Sequence, residues 1–191
     1  ERVATFRGLP RVEVPRGFVG TLRHYQQDGL DFLAHASTLG LGAVLADDMG
    51  LGKTQVMQAL IAERVRGGGY AIVVAPTVAE AGWRSDLLAA FPHLRMHVVR
   101  GRKVVDLPAA DVYFISDDPL TLKAWMGVET EQPNGKKVTT ASAWAQGAVA
   151  VVRDEIHRDK GQQGKPSVRS KVMLAVGEAL RSAGKAIIAA T

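Results

Sequence analysis

The sequence contains no cysteine, which excludes disulfides and thiolate metal sites and agrees with a reducing compartment without requiring one. It has no run of about 18 apolar residues, so no membrane-spanning helix is expected. Its first residues also lack the charged-then-apolar order of a secretory signal. Internal repeats and low-complexity tracts are missing. So is the disordered profile of low hydrophobicity and high charge, since 47% of residues are hydrophobic and 23% charged. The simplest reading is a soluble intracellular protein, cytoplasmic in a bacterium or phage-infected cell and nuclear in a eukaryote.

What is present narrows the field further. A length of 191 residues suits one domain with a full hydrophobic core. A net charge of +5 favours a polyanionic partner, because a basic surface steers nucleic acid toward it. The chain opens at Glu1 without an initiator Met and stops at Thr191, directly after the apolar run Ala186-Ile187-Ile188-Ala189-Ala190. The expectation is a piece of a longer protein.

Residues 1–20 carry Arg2, Arg7, Arg11 and Arg16 with Pro10 and Pro15 between them, which predicts an extended basic arm with little helix. It is either an ordinary flexible lead-in or a nucleic-acid contact. From Leu22 to Ala36 the spacing of Leu22, Tyr25, Leu30, Phe32 and Leu33 is helical, and Gly40 and Gly42 end the helix. Short apolar runs then recur at Ala43–Ala46, Ala71–Ala75, Met96–Val99, Val112–Ile115, Ala148–Val152 and Ala186–Ala190. Such runs suit strands buried on both faces of a parallel sheet. Helices are predicted over Thr54–Val65, Val78–Phe91 and Ser167–Leu180, the last with Pro166 at its start. The alternation predicts a three-layer α/β/α domain with a mainly parallel sheet. Only Glu129–Thr140 breaks the rhythm; it is polar, and Asn134-Gly135 sits where a hairpin would turn. It reads as a surface insertion without an assigned task.

Two motifs carry chemistry. The run Asp47-Asp48-Met49-Gly50-Leu51-Gly52-Lys53-Thr54 follows one predicted strand and precedes a helix, the order a triphosphate site needs. Glycines let successive backbone N–H groups face inward at a helix N-terminus, where unpaired donors and the helix dipole favour an anion. Lys53 would reach the β and γ phosphates, and the Thr54 hydroxyl would ligate Mg²⁺. The strict pattern wants glycine where this chain has Asp47. The alternative is a glycine-rich helix entry that happens to contain Gly-Lys-Thr.

The second motif, Arg153-Asp154-Glu155-Ile156-His157, puts adjacent carboxylates after a buried strand, at the sheet edge where ligands bind in open parallel sheets. Asp154 would hold Mg²⁺, and Glu155 would polarise the water that attacks the γ-phosphate, help worth roughly 10²–10⁴-fold in rate. Alone, acidic residues after a strand are equally at home as helix N-terminal residues. His157 either bridges the nucleotide site to the next strand or is a hydrogen-bonded, partly buried histidine.

In order, these blocks resemble the Swi/Snf-type ATPases of helicase superfamily two, over roughly Leu22 to Thr191. The resemblance implies the first of two RecA-like lobes of a DNA-dependent ATPase that translocates on double-stranded DNA, with ATP and Mg²⁺ as its ligands. Residues 21–191 would form the lobe. Leu22-Arg23-His24-Tyr25-Gln26 followed by Gly29-Leu30 looks like the family's adenine-reading block, which assigns Gln26 to the adenine edge; a solvated helix residue is the alternative. The phosphate loop is close to the family's, in which an acidic residue takes the first glycine's place, so that Met49, Gly50, Leu51, Gly52, Lys53 and Thr54 would surround the phosphates.

Val73-Val74-Ala75-Pro76-Thr77 is similar to a block whose loop touches a DNA strand, so Thr77 would meet phosphate, while Trp83 reads as core or scaffold. Asp111 to Ser116 resembles the next DNA-facing strand, with Ser116 as its candidate contact, but Asp117-Asp118 replaces the family's threonines and aromatic and sets acid against phosphate. Asp154-Glu155-Ile156-His157 has Ile where Ala or Gly is commoner. Ala189-Ala190-Thr191 sits where the family has its coupling block, so Thr191 is the counterpart, with a departure before it, and His157 would share the coupling role. The second lobe, which supplies arginines worth roughly 10³–10⁵ in turnover, lies outside this sequence, so the isolated lobe is expected to bind nucleotide and scarcely hydrolyse it. Two other functions remain open: a strand-separating DNA or RNA helicase of the same superfamily, and a degenerate nucleotide-gated DNA-binding platform, suggested by Asp117-Asp118 and by the altered block before Thr191.

Overall fold

The computed structural model describes residues 8–48, 50–159 and 166–190. Met49 and Thr191, with their expected phosphate and coupling roles, lie outside these residues.

Six strands form one sheet: β1 (Ala43–Leu45), β2 (Ala71–Ala75), β3 (Met96–Val99), β4 (Val112–Ser116), β7 (Ala150–Arg153) and β8 (Ala186–Ala190). Their order is β1-β8-β7-β2-β4-β3, and every pairing is parallel. Side chains alternate across the sheet. From β2, Val73 joins the apolar layer of α1 (His24–Thr38), α2 (Lys53–Val65) and α3 (Glu80–Ala90), with Leu30, Leu60 and Leu87. Ile72 and Val74 point the other way, toward α4 (Pro119–Met126), α5 (Ala143–Gly147) and α6 (Val168–Ser182), with Leu122, Ala145 and Val176. The three-layer architecture follows from this two-sided burial.

The predicted strands all form, with shifted ends. Ala46 leaves β1 for the loop, β7 begins at Ala150 rather than Ala148, and β4 extends to Ser116. The helix expected from Val78 begins as a 3-10 turn, Thr77–Ala79, that passes into α3 at Glu80. Two helices were not foreseen, because each is short. Asp118 caps α4 by accepting from the Thr121 N–H at 2.8 Å, and Pro119 starts it. Ser142 caps α5 in the same manner. The predicted insertion is an antiparallel hairpin of β5 (Gly127–Glu131) and β6 (Lys137–Ala141). Its connection turns through Gly135, whose φ of 76° suits glycine.

The described part of the N-terminal arm, residues 8–20, has no helix or strand, yet it is tied down. The Val12 N–H donates to Asp31 at 2.9 Å and the Val12 carbonyl accepts from Gln27 at 2.9 Å. Phe18 packs on Phe91 with centroids 5.2 Å apart, and the Val19 N–H donates to the Ala90 carbonyl. Arg11 and Arg16 are both exposed.

Candidate active site

All six strands of the main sheet run the same way, so the loops that leave β1, β2, β4 and β7 share its carboxyl edge. One strand, β8, separates β1 from β7, which sets their ends about 10 Å apart at the usual interstrand spacing. That gap can hold a phosphate chain and a cation.

The loop after β1 has the expected strain. Gly50 and Gly52 take φ of 84° and 75°, values that side chains other than glycine rarely adopt. Gly52 caps α2 without a side chain, and the first turn of α2 has no acidic residue, so its dipole and leading N–H groups favour an incoming anion. The Lys53 Nζ folds back on the loop, donating to the Asp47 carbonyl at 2.7 Å and the Asp48 carbonyl at 3.1 Å. These are exposed bonds that phosphate oxygens can replace. Thr54 stands in the first turn, half-buried. A cleft of about 270 Å³ opens beside Gly52 and Thr54, walled by Val19, Asp86 and Ala89.

Gln26 is brought to this loop from α1 and is 5% exposed. Its Oε1 accepts from the Arg23 N–H at 2.9 Å, and its Nε2 donates to the Leu51 carbonyl at 3.1 Å and to Gln55 Oε1 at 3.2 Å. A Cβ on Gly52 would stand 2.4 Å from that Nε2. The amide therefore braces the phosphate loop, and contact with an adenine edge would exchange one of these bonds.

Across the gap, β7 delivers the two carboxylates. The Asp154 N–H donates to the Val74 carbonyl at 2.9 Å, continuing the sheet by one bond. Asp154 Oδ2 accepts from the Trp83 indole N–H at 2.9 Å, and Oδ1 accepts from the Glu155 N–H at 3.0 Å. The chain then turns sharply at Glu155, whose φ is 57°. Glu155 Oε2 lies 3.1 Å from His157 Nδ1, both side chains about half exposed. His157 thus touches the candidate general base from solvent, in the 3-10 turn Ile156–Asp159.

The two candidate nucleic-acid contacts meet. Thr77 Oγ1 and Ser116 Oγ are 2.8 Å apart, an exposed hydroxyl pair that joins the ends of β2 and β4. The acidic residues after Ser116 do not face outward as a pair. Asp117 is 3% exposed and lies 3.4 Å from Arg153 and 3.2 Å from Arg158. Asp118 is consumed by the α4 cap. The Thr121 backbone N–H, above all, with its hydroxyl and Arg102, holds the Asp118 carboxyl below its ordinary value despite some burial.

Two residues with functional positions were not read as such. Trp83, 2% exposed, was read as core or scaffold, yet its N–H reaches Asp154; the usable signal is that a buried indole needs an acceptor. Arg153 is 1% exposed at the end of an apolar strand, and a basic residue in such a run calls for buried partners. A larger cleft, about 640 Å³, lies between α6 and the β1–β8 edge and reaches the second motif at Arg153 and Ile156.

Comparison with known proteins agrees with this geometry. Residues 25–163 match the SNF2-related domain. Over 87 residues the chain is 40% identical to the chromatin-remodeling ATPase INO80 of Arabidopsis thaliana, covering 44% of this chain and 6% of that protein. Over 79 residues it is 40% identical to Helicase SWR1 of Gibberella zeae, covering 40% of this chain and 5% of that protein. The Sulfolobus solfataricus SWI2/SNF2 ATPase core in complex with dsDNA superposes with a TM-score of 0.66 at 25% identity, covering 95% of this chain and 34% of that one. The chain therefore spans a small part of its curated relatives and about a third of the solved core. With the glycine loop before α2, the Asp-Glu turn and the parallel RecA-like sheet on one chain, and with the family model matching most of it, the chain belongs to the SNF2-related domain family.

Proposed function

We propose that this chain is the ATP-binding lobe of a DNA-dependent ATPase that translocates on double-stranded DNA, with residues 21–191 as the lobe and residues 1–20 as a basic arm. The observation that carries the proposal is the convergence, at one sheet edge, of the Gly50–Thr54 loop, the Asp154–Glu155 turn and the exposed Thr77–Ser116 hydroxyls.

The residues fit Mg·ATP. Left-handed glycines and an uncapped α2 offer N–H donors to the phosphates, and Lys53 exchanges two carbonyls for them. Thr54 and Asp154 would hold Mg²⁺, which neutralises charge on the β and γ phosphates. The Trp83 indole and the Glu155 N–H fix the Asp154 carboxylate, whose remaining lone pairs would serve a cation. Glu155 accepts the proton of the attacking water, and His157 limits the swing of its side chain. A second lobe would close over the nucleotide and add arginine, so residues 1–191 alone turn over negligibly.

Inward-facing Asp117 and the capping role of Asp118 weaken one of the two motives for a degenerate platform, the acidic pair. Among the described residues no helix is long and apolar enough to cross a membrane, which is compatible with work in the cytoplasm or nucleus. The test is ATP hydrolysis by the two-lobe protein with and without duplex DNA. Stimulation that Lys53→Ala abolishes, without release of a displaced strand, supports translocation. Strand release assigns the protein to the unwinding helicases, and an unchanged rate in Lys53→Ala refutes the proposal.

A further inference from the structure

Arg153 ends β7 and Asp154 extends its pairing by one bond, and the alternation of the strand sends the two side chains to opposite faces of the sheet. Asp154 turns toward Trp83 in the α1–α3 layer. Arg153 turns under α6, where its guanidinium is almost wholly enclosed. A buried cation is costly unless every donor finds a partner, and here each nitrogen does. Nε donates to both Asp159 oxygens at 3.1 Å, and Nη2 donates to Asp159 at 2.5 Å and Asp117 at 3.4 Å. Nη1 donates to the carbonyls of Asp154 at 2.5 Å and Val74 at 3.3 Å. One side chain thus clasps the Asp154–Asp159 turn at both ends and fastens it to the ends of β2 and β4.

Asp117 makes the clasp responsive. It is adjacent to Ser116, which pairs with Thr77 on the surface. Besides Arg153 it faces Arg158 at 3.2 Å and Arg169 at 3.9 Å, and its carbonyl accepts from Arg169 at 2.6 Å. Arg158 and Arg169 reach solvent, with side chains 39% and 22% exposed. Three guanidinium groups therefore share two carboxylates, and the surplus cation lies on the surface side of Asp117, the residue next to Ser116.

We propose that Arg153 is a positioning residue that couples the two ligand surfaces: a nucleic-acid phosphate arriving at Thr77 and Ser116 draws Arg158 from Asp117, Asp117 then binds Arg153 more tightly, and the Asp154–Glu155 turn shifts. Arg158 lies three residues beyond Glu155 and donates its N–H to the Glu155 carbonyl at 3.0 Å, so the exchange acts directly on the backbone that carries the general base. This rests on the functional reading above. Because coupling is reciprocal, nucleotide must change the affinity for DNA by the same factor as DNA changes the affinity for nucleotide.

The test uses residues 1–191, a short duplex at low salt and Mg·AMP-PNP, with each dissociation constant measured in the absence and presence of the other ligand. The unaltered chain is expected to show coupling of about fivefold or more. Arg153→Lys keeps the charge but loses the planar fork, and its coupling is expected to fall to within about twofold of unity while each ligand still binds alone. Undiminished coupling in folded Arg153→Lys overturns the inference, as does an unaltered chain that binds both ligands independently. If the unaltered chain binds neither ligand, the functional reading itself fails. Should Arg153→Lys not fold, Asp117→Asn decides, since it leaves Arg153 on Asp159: lost coupling supports the clasp and retained coupling refutes it.

Discussion

Replacing Trp83 by Phe isolates one bond. The indole N–H donates to Asp154 Oδ2 at 2.9 Å from a side chain only 2% exposed, and Phe keeps most of the ring while removing the donor. A hydrogen bond to a charged group contributes about 1.5–3 kcal/mol. Asp154 is half-buried and water can replace part of that bond, so the lower figure applies, equivalent to about tenfold in affinity. Partners that orient a metal ligand commonly change metal affinity by 10–100-fold, which brackets the same number. The lost ring volume costs stability as well, about 1–2 kcal/mol for a partial truncation in the core. The assay is calorimetric binding of AMP-PNP to residues 1–191 over a Mg²⁺ titration and again in EDTA, with a thermal melt as the control for folding. Affinity in EDTA should match that of the unaltered chain, and the Mg²⁺-dependent gain should shrink about tenfold. An equal loss with and without Mg²⁺ would make Trp83 a packing residue only. No loss in either condition would refute the claim that its N–H orients Asp154.

Two further substitutions test the frame of the site. Gly52→Ala forces a methyl to within 2.4 Å of Gln26 Nε2 at a φ of 75°; it should lower stability by about 1–2 kcal/mol and weaken nucleotide binding, measured by denaturant melts and calorimetry. Asp118→Ala removes the α4 cap and should cost about 1 kcal/mol. Since the folded Asp118 carboxyl titrates below its ordinary value, chiefly because of the Thr121 N–H, its stabilisation is present above the usual aspartate range and fades as pH falls through the folded value. The stability gap between Asp118→Ala and the unaltered chain should therefore close in acid, as melts across a pH series would show.

Much of the fold was legible because burial on both faces leaves an unbroken apolar run. Ala71-Ile72-Val73-Val74-Ala75 can hardly be anything but a central strand, and β2 is buried at every position. Helices of eight and five residues, α4 and α5, left no periodic signal, although the caps Asp118 and Ser142 were there to be read. The tight turn into α2 was legible from Gly50 and Gly52, since their backbone freedom is local. Tertiary partners were not. Whether Asp117 faces phosphate or Arg153, and whether the Trp83 N–H faces a backbone carbonyl or Asp154, depends on strands 36 and 71 residues away in the chain. Gln26 likewise reads as a free amide on a helix, while it is occupied by Leu51 and Gln55.

The central claim is that the backbone around Lys53 and the carboxylate of Asp154 hold one Mg·ATP between them. Calorimetric titration of residues 1–191 with AMP-PNP and Mg²⁺, repeated with Lys53→Ala and Asp154→Asn, tests it most directly. The account predicts saturable binding at one site, lost or severely weakened in Lys53→Ala, with the Mg²⁺ dependence abolished in Asp154→Asn. Binding of equal strength in all three proteins, or none in the unaltered chain, would contradict it.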